Sequence, residues 1–235
     1  MGIRPLNRDS RIDSNMFMLQ EGDNNMVPTT KDGEGDLNID YAVRAESFMK
    51  VYSKASGDDY LDFDTATLGP CENSPYGFVG DVVTPCVFLK FNKIWGWNPT
   101  PIGEEDFAKA EEDGNPWPAD FKAHWDAQAD KDKIWVDCQG RNAADKEALA
   151  GMEYYPASRG FETKFFPFQG NKESYHSPLV AVRFTDLPKG QLVYIECRSY
   201  AGTQVKGERP GPTESTNTGL VTFGVMIQPL VNPLI

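Results

Sequence analysis

Residues 178–198 constrain this chain more than any other stretch. They read P-L-V-A-V-R-F-T, then a turn at D-L-P-K-G over 186–190, then Q-L-V-Y-I-E-C-R: two alternating runs joined by turn formers. Successive side chains of a strand point to opposite faces. Val180, Val182 and Phe184 therefore share one face of the first strand, and Val193, Ile195 and Cys197 share one face of the second. Upstream, K-I-W-V-D-C-Q-G has the same parity and groups Ile134, Val136 and Cys138. Two cysteines thus arrive on apolar, inward faces of strands far apart in sequence, the arrangement expected of a bridge that pins one sheet of a β-sandwich to the other. Closing so long a loop restricts the unfolded chain by roughly 4 kcal/mol in the chain-entropy treatment. Two unrelated buried thiols are the alternative.

The chain has 235 residues, enough for one sizeable core or two small ones, with 40% hydrophobic and 12% aromatic residues, which are globular values. Its net charge of −12 argues against a nucleic-acid partner, because a phosphate backbone must be met by clustered cations. Four cysteines allow three pairings, and the sequence-local choice is Cys71 with Cys86, leaving Cys138 with Cys197. None belongs to a C-x-x-C pair and there are two histidines, so the usual zinc and thioredoxin patterns are missing. Disulfides imply an oxidising compartment, yet the sequence shows no signal peptide and no apolar run of about 18 residues, the length that crosses a bilayer. Either the chain is the soluble part of a longer membrane protein, with Met1 added to start it, or the bridges do not form.

Residues 1–39 are rich in Asn, Asp, Gly and Pro and read as an extended lead-in over the surface, with M-F-M-L at 16–19 as a candidate edge strand. From Asp40, Tyr41, Ala45, Phe48, Met49 and Tyr52 recur at helical spacing, which predicts one prominent helix over 40 to about 55, capped by Asp40 and followed by Gly57. The carboxylates of D-D-Y-L-D-F-D over 58–64 do not continue into a calcium loop, since Ala66 breaks the ligand register. Cys71 to Trp97 is a turn-rich loop closed by the short bridge and then a strand beginning at Cys86, which makes the loop a candidate contact surface. Residues 100–133 are an acidic excursion with a short helix around 119–128 that tucks Phe121 and Trp125 inward. His124 has no histidine or cysteine nearby and reads as a surface residue. The segment 152–168 is dense in aromatics but broken by Pro156 and Pro167, so some of its rings are expected on the surface. Residues 199–217 form a Gly/Pro/Thr-rich excursion before a closing strand, L-V-T-F-G-V-M-I-Q.

No chemistry emerges from this pass. The sequence has no G-x-S-x-G, no phosphate-cradling G-x-x-x-x-G-K-[ST] and no H-E-x-x-H. A carboxylate pair of the glycosidase kind is set by separation in space and is not legible from spacing. The expectation is a non-enzyme without cofactor, metal or small-molecule substrate of its own.

Five motifs occur in order: C-V-F-L-K-F-N-K-I-W-G-W-N-P from Cys86, V-D-C-Q-G from Val136, Y-Y-P-A-S-R-G-F from Tyr154, S-P-L-V-A-V-R-F from Ser177 and I-E-C-R-S-Y-A from Ile195. In these the chain resembles the beta subunits of Na+/K+-transporting ATPases, most like the invertebrate forms. The resemblance implies a mainly β, immunoglobulin-like sandwich with one prominent helix and long surface excursions, 40–235 forming a single extracellular domain behind a juxtamembrane lead-in at 1–39. It implies a single-pass type II protein of the plasma membrane, whose membrane helix lies before Gly2, and a non-catalytic subunit that escorts the pump's alpha subunit and tunes its potassium affinity. The four cysteines fall at the family's second and third bridges, while Leu61 stands where a cysteine of the family's first bridge is expected. No N-x-[ST] sequon is present, since Asn98 precedes Pro99 and Asn73 has Pro75 in the third place. Tyr76, Gly77 and Phe78 in the bridged loop, with Tyr154 and Tyr155, are the candidate contacts to the alpha subunit. A pump-independent adhesion or junction module built on the same sandwich is the alternative.

Overall fold

Apolar alternation in short segments builds two sheets around a shared core. The computed structural model describes residues 1–5, 16–21, 37–52, 63–170, 175–202 and 219–229. The first sheet runs β1 (Gly2–Arg4), β3 (Cys86–Lys90), β7 (Leu179–Asp186) and β5 (Gly151–Tyr155), all antiparallel. The second runs β2 (Met16–Gln20), β9 (Leu220–Gln228), β8 (Leu192–Tyr200), β4 (Lys133–Gly140) and β6 (Gly160–Glu162), with only the β2–β9 pair parallel. The fold is thus mainly β, with helices α1 (Leu37–Met49), α2 (Glu104–Glu112), α3 (Ala119–Asp126) and α4 (Ala143–Ala148) on its margins.

The inner faces meet as strand parity requires. Val180, Val182 and Phe184 of β7 and Val193, Ile195 and Cys197 of β8 are all fully buried, and Phe184 meets Phe223 of β9 edge-on at 6.0 Å between ring centres. Burying a large apolar side chain stabilises by roughly 1.5–3 kcal/mol, and this interior is the main source of stability.

The bridge between Cys138 and Cys197 does not join the two sheets. The two residues stand directly opposite each other on adjacent strands β4 and β8 of one sheet, with 4.0 Å between their Cα atoms. Parity fixed the face correctly, but a shared face is compatible with neighbouring strands as well as with opposed sheets. The second bridge, Cys71 to Cys86, ties the end of the 3-10 segment Thr65–Cys71 to the start of β3.

The opening residues are more than a path over the surface. Ile3, Phe17 and Leu19 belong to the main core, and Met16–Gln20 is an edge strand. The outer edge of that strand is met by α1 side chains. Asn38 accepts from Gln20 N–H and donates to Gln20 C=O, both at 2.8 Å, while Tyr41 Oη accepts from Met18 N–H at 3.3 Å and donates to Met16 C=O at 3.1 Å. An edge whose backbone groups are already paired is a poor template for further strands. The helix starts at Leu37, three residues before Asp40, and ends at Met49. Asp40 is therefore not its cap but a first-turn acid, favoured by the helix dipole and paired with Arg44 at 2.5 Å. Gly57, Leu61, the acids at 58, 59 and 62, and most of the 199–217 excursion lie outside the described residues.

A second, smaller core lies on the outer face of the five-stranded sheet. Trp135 of β4 and Tyr200 of β8 point away from the main core and are covered by Ile102, Phe107, Phe121 and Trp125. Phe121 and Trp125 are inward as expected, whereas α2 was not foreseen inside the acidic excursion. Its first turn carries Glu104, Glu105 and Asp106, which suit the positive end of a helix, and Asp106 accepts from Gly103 N–H at 2.8 Å.

Candidate interaction surface

The cystine-bridged loop folds back on itself through backbone pairing. Thr84 N–H donates to Gly77 C=O and Cys86 N–H to Tyr76 C=O, each at 2.9 Å. Tyr76 and Phe78 turn inward: Phe78 stacks near Tyr41 at 5.6 Å and Tyr76 meets Phe88 edge-on at 5.9 Å. Both side chains are buried. What the loop offers to a partner is its rim, where Asn73, Ser74, Pro75, Asp81 and Val82 are exposed, Val82 at 72%.

Tyr154 is also an interior residue. It leaves β5 toward the other sheet, and its hydroxyl accepts from Cys138 N–H at 2.8 Å and donates to Cys138 C=O at 3.4 Å. Burial pushes its phenol well above the ordinary tyrosine value, so it remains a donor. Tyr155, half-buried, faces the other way. Its hydroxyl donates to Glu153 at 2.9 Å, its ring lies against Gly69, and Glu153 pairs with Arg183 at 3.4 Å, which in turn donates to Thr84 at 3.1 Å. The two candidate segments are therefore brought together on the outer side of the four-stranded sheet, linked by the path Tyr155, Glu153, Arg183, Thr84. Exposed ion pairs contribute little energy, and this one orders side chains more than it stabilises them.

Behind Tyr154 lies a polar knot that the sequence reading did not anticipate. Arg159 stacks its guanidinium 4.4 Å from the Tyr154 ring centre and pairs at 3.2 Å with Asp137, which is 5% exposed. Parity was the available signal, since Asp137 must face opposite to Cys138. Burial raises the Asp137 carboxyl to about 6, and the attraction of Arg159 only partly opposes this; nearby Asp120 adds to the rise. Because the folded value exceeds the unfolded one of 3.8, the folded state holds this proton more tightly. The contribution to stability is thus fully present below about pH 4 and is lost as pH rises through about 6, by up to about 3 kcal/mol. Asp137→Asn removes this dependence. In urea titrations the variant should gain on the wild type between pH 4 and 7, and a difference that stays constant across that range contradicts the assignment.

Two clefts open among the described residues. One of about 60 Å³ is lined by Phe63, Lys133, Pro156, Glu162 and Phe165, and a shallow groove of about 250 Å³ runs past Glu46, Met49, Glu72 and Tyr76. Among the described residues no three His, Cys, Asp or Glu side chains converge as a metal site, and no helix is long and apolar enough to cross a membrane. His124 is half-buried beside Trp135, its Nε2 3.4 Å from Ser158 C=O.

Comparison with known proteins gives these features a context. The family model described as "Sodium / potassium ATPase beta chain" matches residues 26–222. The chain is 32% identical over 214 residues to the sodium/potassium-transporting ATPase subunit beta-1 of Drosophila melanogaster, covering 83% of this chain and 64% of that relative. It is 37% identical over 147 residues to subunit beta-2 of the same fly, covering 60% and 42% of the two chains. With the probable subunit beta-3 of Caenorhabditis briggsae it shares 28% over 166 residues, 71% and 43% of the two chains. The matched region thus spans less than two thirds of the length of each of these relatives. The chain belongs to the sodium/potassium ATPase beta chain family.

Proposed function

We propose that this chain is the extracellular part of a non-catalytic beta subunit of a P-type Na+/K+-transporting ATPase. In this reading its two sheets form an immunoglobulin-like sandwich made mostly by residues 40–235, and residues 1–39 lead in from a membrane helix while adding the edge strands β1 and β2 to it. The protein would then be a single-pass type II component of the plasma membrane. Its work is to pack on the alpha subunit, supporting that subunit's folding, delivery to the cell surface and potassium affinity.

The observation that carries the reading is the family match across residues 26–222. The surface described above supports a docking role. The bridged loop is stiffened by Cys71–Cys86 and held to β7 through Thr84 and Arg183, so its rim is presented with little ordering cost on binding. The contact is assigned to Pro75, Gly77, Val82 and Tyr155, with Tyr76, Phe78 and Tyr154 supporting them from beneath.

Co-expression of the full-length gene product with a catalytic alpha subunit, followed by purification through the alpha subunit in mild detergent, tests this. The product should co-purify, and Val82→Asp should reduce its recovery. Failure to co-purify under conditions where the fruit-fly beta-1 relative does so sinks the proposal and favours a pump-independent adhesion role.

A further inference from the structure

The shallow groove of about 250 Å³ separates α1 from the bridged loop. Glu46 and Met49 line it from the helix, Thr65, Glu72 and Asn73 from the 3-10 segment and the residues after it, and Tyr76 from the loop. Tyr76 is 4% exposed, with its ring edge-on to Phe88. Its backbone is held at both ends, the N–H donating to Asn73 C=O at 3.0 Å and the C=O accepting from Cys86 N–H at 2.9 Å. Buried tyrosine hydroxyls normally find a partner, and those of Tyr41, Tyr52 and Tyr154 all donate to backbone carbonyls. The hydroxyl of Tyr76 has no hydrogen-bond partner among the described residues. Burial, and then the nearby charge of Glu46, push its phenol above the ordinary tyrosine value, so the hydroxyl stays protonated beside that groove carboxylate.

Two carboxylates share the groove with this hydroxyl. Glu72 accepts from the Thr65 hydroxyl at 3.2 Å and makes no ion pair among the described residues. Glu46 pairs with Lys50, one helical turn on, at 3.1 Å, and both side chains are exposed. An ion pair of that kind is weak, so Glu46 can turn to a better-placed cation. Met49 and the ring of Tyr76, both buried, supply the apolar part of the lining. The groove therefore combines acceptors of two kinds with an aromatic ring and a thioether.

We infer that this groove receives an arginine side chain from the alpha subunit, with its guanidinium shared among Glu46, Glu72 and the Tyr76 hydroxyl and its stem on Met49. A guanidinium is planar, carries five donors and no acceptor, and stacks on aromatic faces. It supplies the Tyr76 oxygen with the bond that the fold leaves unmade, and it gives Glu72 a counter-charge. A lysine ammonium lacks both the forked pairing and the stacking. A calcium ion needs six to eight oxygens, and among the described residues no three His, Cys, Asp or Glu side chains converge. Pockets for free small molecules run to roughly 300–1,000 Å³, and this groove is both smaller and shallow. Asn73 belongs to the groove and to the exposed rim of the bridged loop, so a segment lying on the rim can reach in. Only the origin of the arginine rests on the proposed function; the chemistry of the groove does not.

The test is a titration of the isotope-labelled whole chain with the peptide acetyl-Leu-Arg-Leu-amide, followed by nuclear magnetic resonance. Saturable shifts are expected at the amides of Glu46, Met49, Glu72, Asn73 and Tyr76, with an affinity of roughly millimolar order. Glu72→Gln should weaken binding roughly tenfold and Tyr76→Phe roughly threefold. Tyr76→Phe removes only the hydroxyl and keeps the ring against Phe88, so it decides the matter if the other variant does not fold. The same peptide with lysine in place of arginine should bind roughly fivefold more weakly. Glu111→Gln, on α2 over the other sheet, should change nothing. No shifts, shifts away from the groove, equal binding of the two peptides, unchanged affinity in both groove variants, or the same shifts from calcium chloride alone would overturn the inference. Arginine binding by a product that fails to co-purify with the alpha subunit supports the groove and sinks only the proposed function, whereas co-purification without arginine binding sinks only the groove.

Discussion

Replacing both Cys138 and Cys197 by alanine is expected to lower stability by about 4 kcal/mol, the chain-entropy value for a closed loop of this size. The bridge spans 59 residues of sequence, so cutting it releases a long segment in the unfolded chain. The native state should change much less. Residues 135–140 of β4 remain in register with 195–200 of β8, and Tyr154 still holds the backbone of Cys138. The double variant should therefore keep a native circular dichroism spectrum while its urea midpoint falls. The smaller loop closed by Cys71–Cys86, with a separation of 15, should contribute nearer 3 kcal/mol. An unchanged midpoint after substitution of both residues would show that the 138–197 bridge does not carry this stabilisation.

The same bridge shows where sequence reasoning succeeds and where it stops. Alternation told which way Cys138 and Cys197 point, because a two-residue period is a local property of extended chain. It did not tell which strands are neighbours, because pairing is decided by the whole topology. The five-stranded order β2-β9-β8-β4-β6 places two distant segments side by side. In β4 alternation was itself overridden: Trp135 and Asp137, on the face opposite Ile134, Val136 and Cys138, are buried as well. The second core against α3 and Phe107 covers that face, and nothing within the strand announces it.

The aromatic residues make the converse case. Tyr76 and Phe78 lie in a loop and Tyr154 near the end of a strand two residues before Pro156, where composition favours exposure, yet each is buried. Each hydroxyl or ring finds a specific partner: Tyr154 meets Cys138, Tyr76 meets Phe88 and Phe78 meets Tyr41. A tyrosine is half apolar and half polar, so its place depends on whether a buried backbone group needs its hydroxyl. That need is invisible until the strands are paired. Trp95 shows the opposite outcome, a ring left largely in solvent because the position of Gly170 gives it a resting place outside the core.

Gly77→Ala is expected to be nearly as damaging as loss of the large bridge, through a different physical route. Gly77 has φ of +71°, a region that costs an L side chain energy, and an added Cβ would lie 1.9 Å from the carbonyl oxygen of Thr84. That oxygen belongs to backbone and cannot swing aside as the end of a flexible side chain could. Moving it disturbs the pairing of Thr84 N–H with Gly77 C=O and of Cys86 N–H with Tyr76 C=O, and it shifts Phe78 away from Tyr41. Backbone strain and lost pairing together amount to roughly 4 kcal/mol. The damage should be local to the loop. Hydrogen exchange should quicken at Thr84 and Cys86 while β8 and β9 stay protected, because those strands lie in the other sheet. Val82→Ala in the same loop, at a position 72% exposed, lacks the Thr84 clash and serves as the control. If Gly77→Ala melts with the wild type, the loop is looser than this geometry requires, and a rigid rim at Pro75 and Val82 is no longer available to any partner.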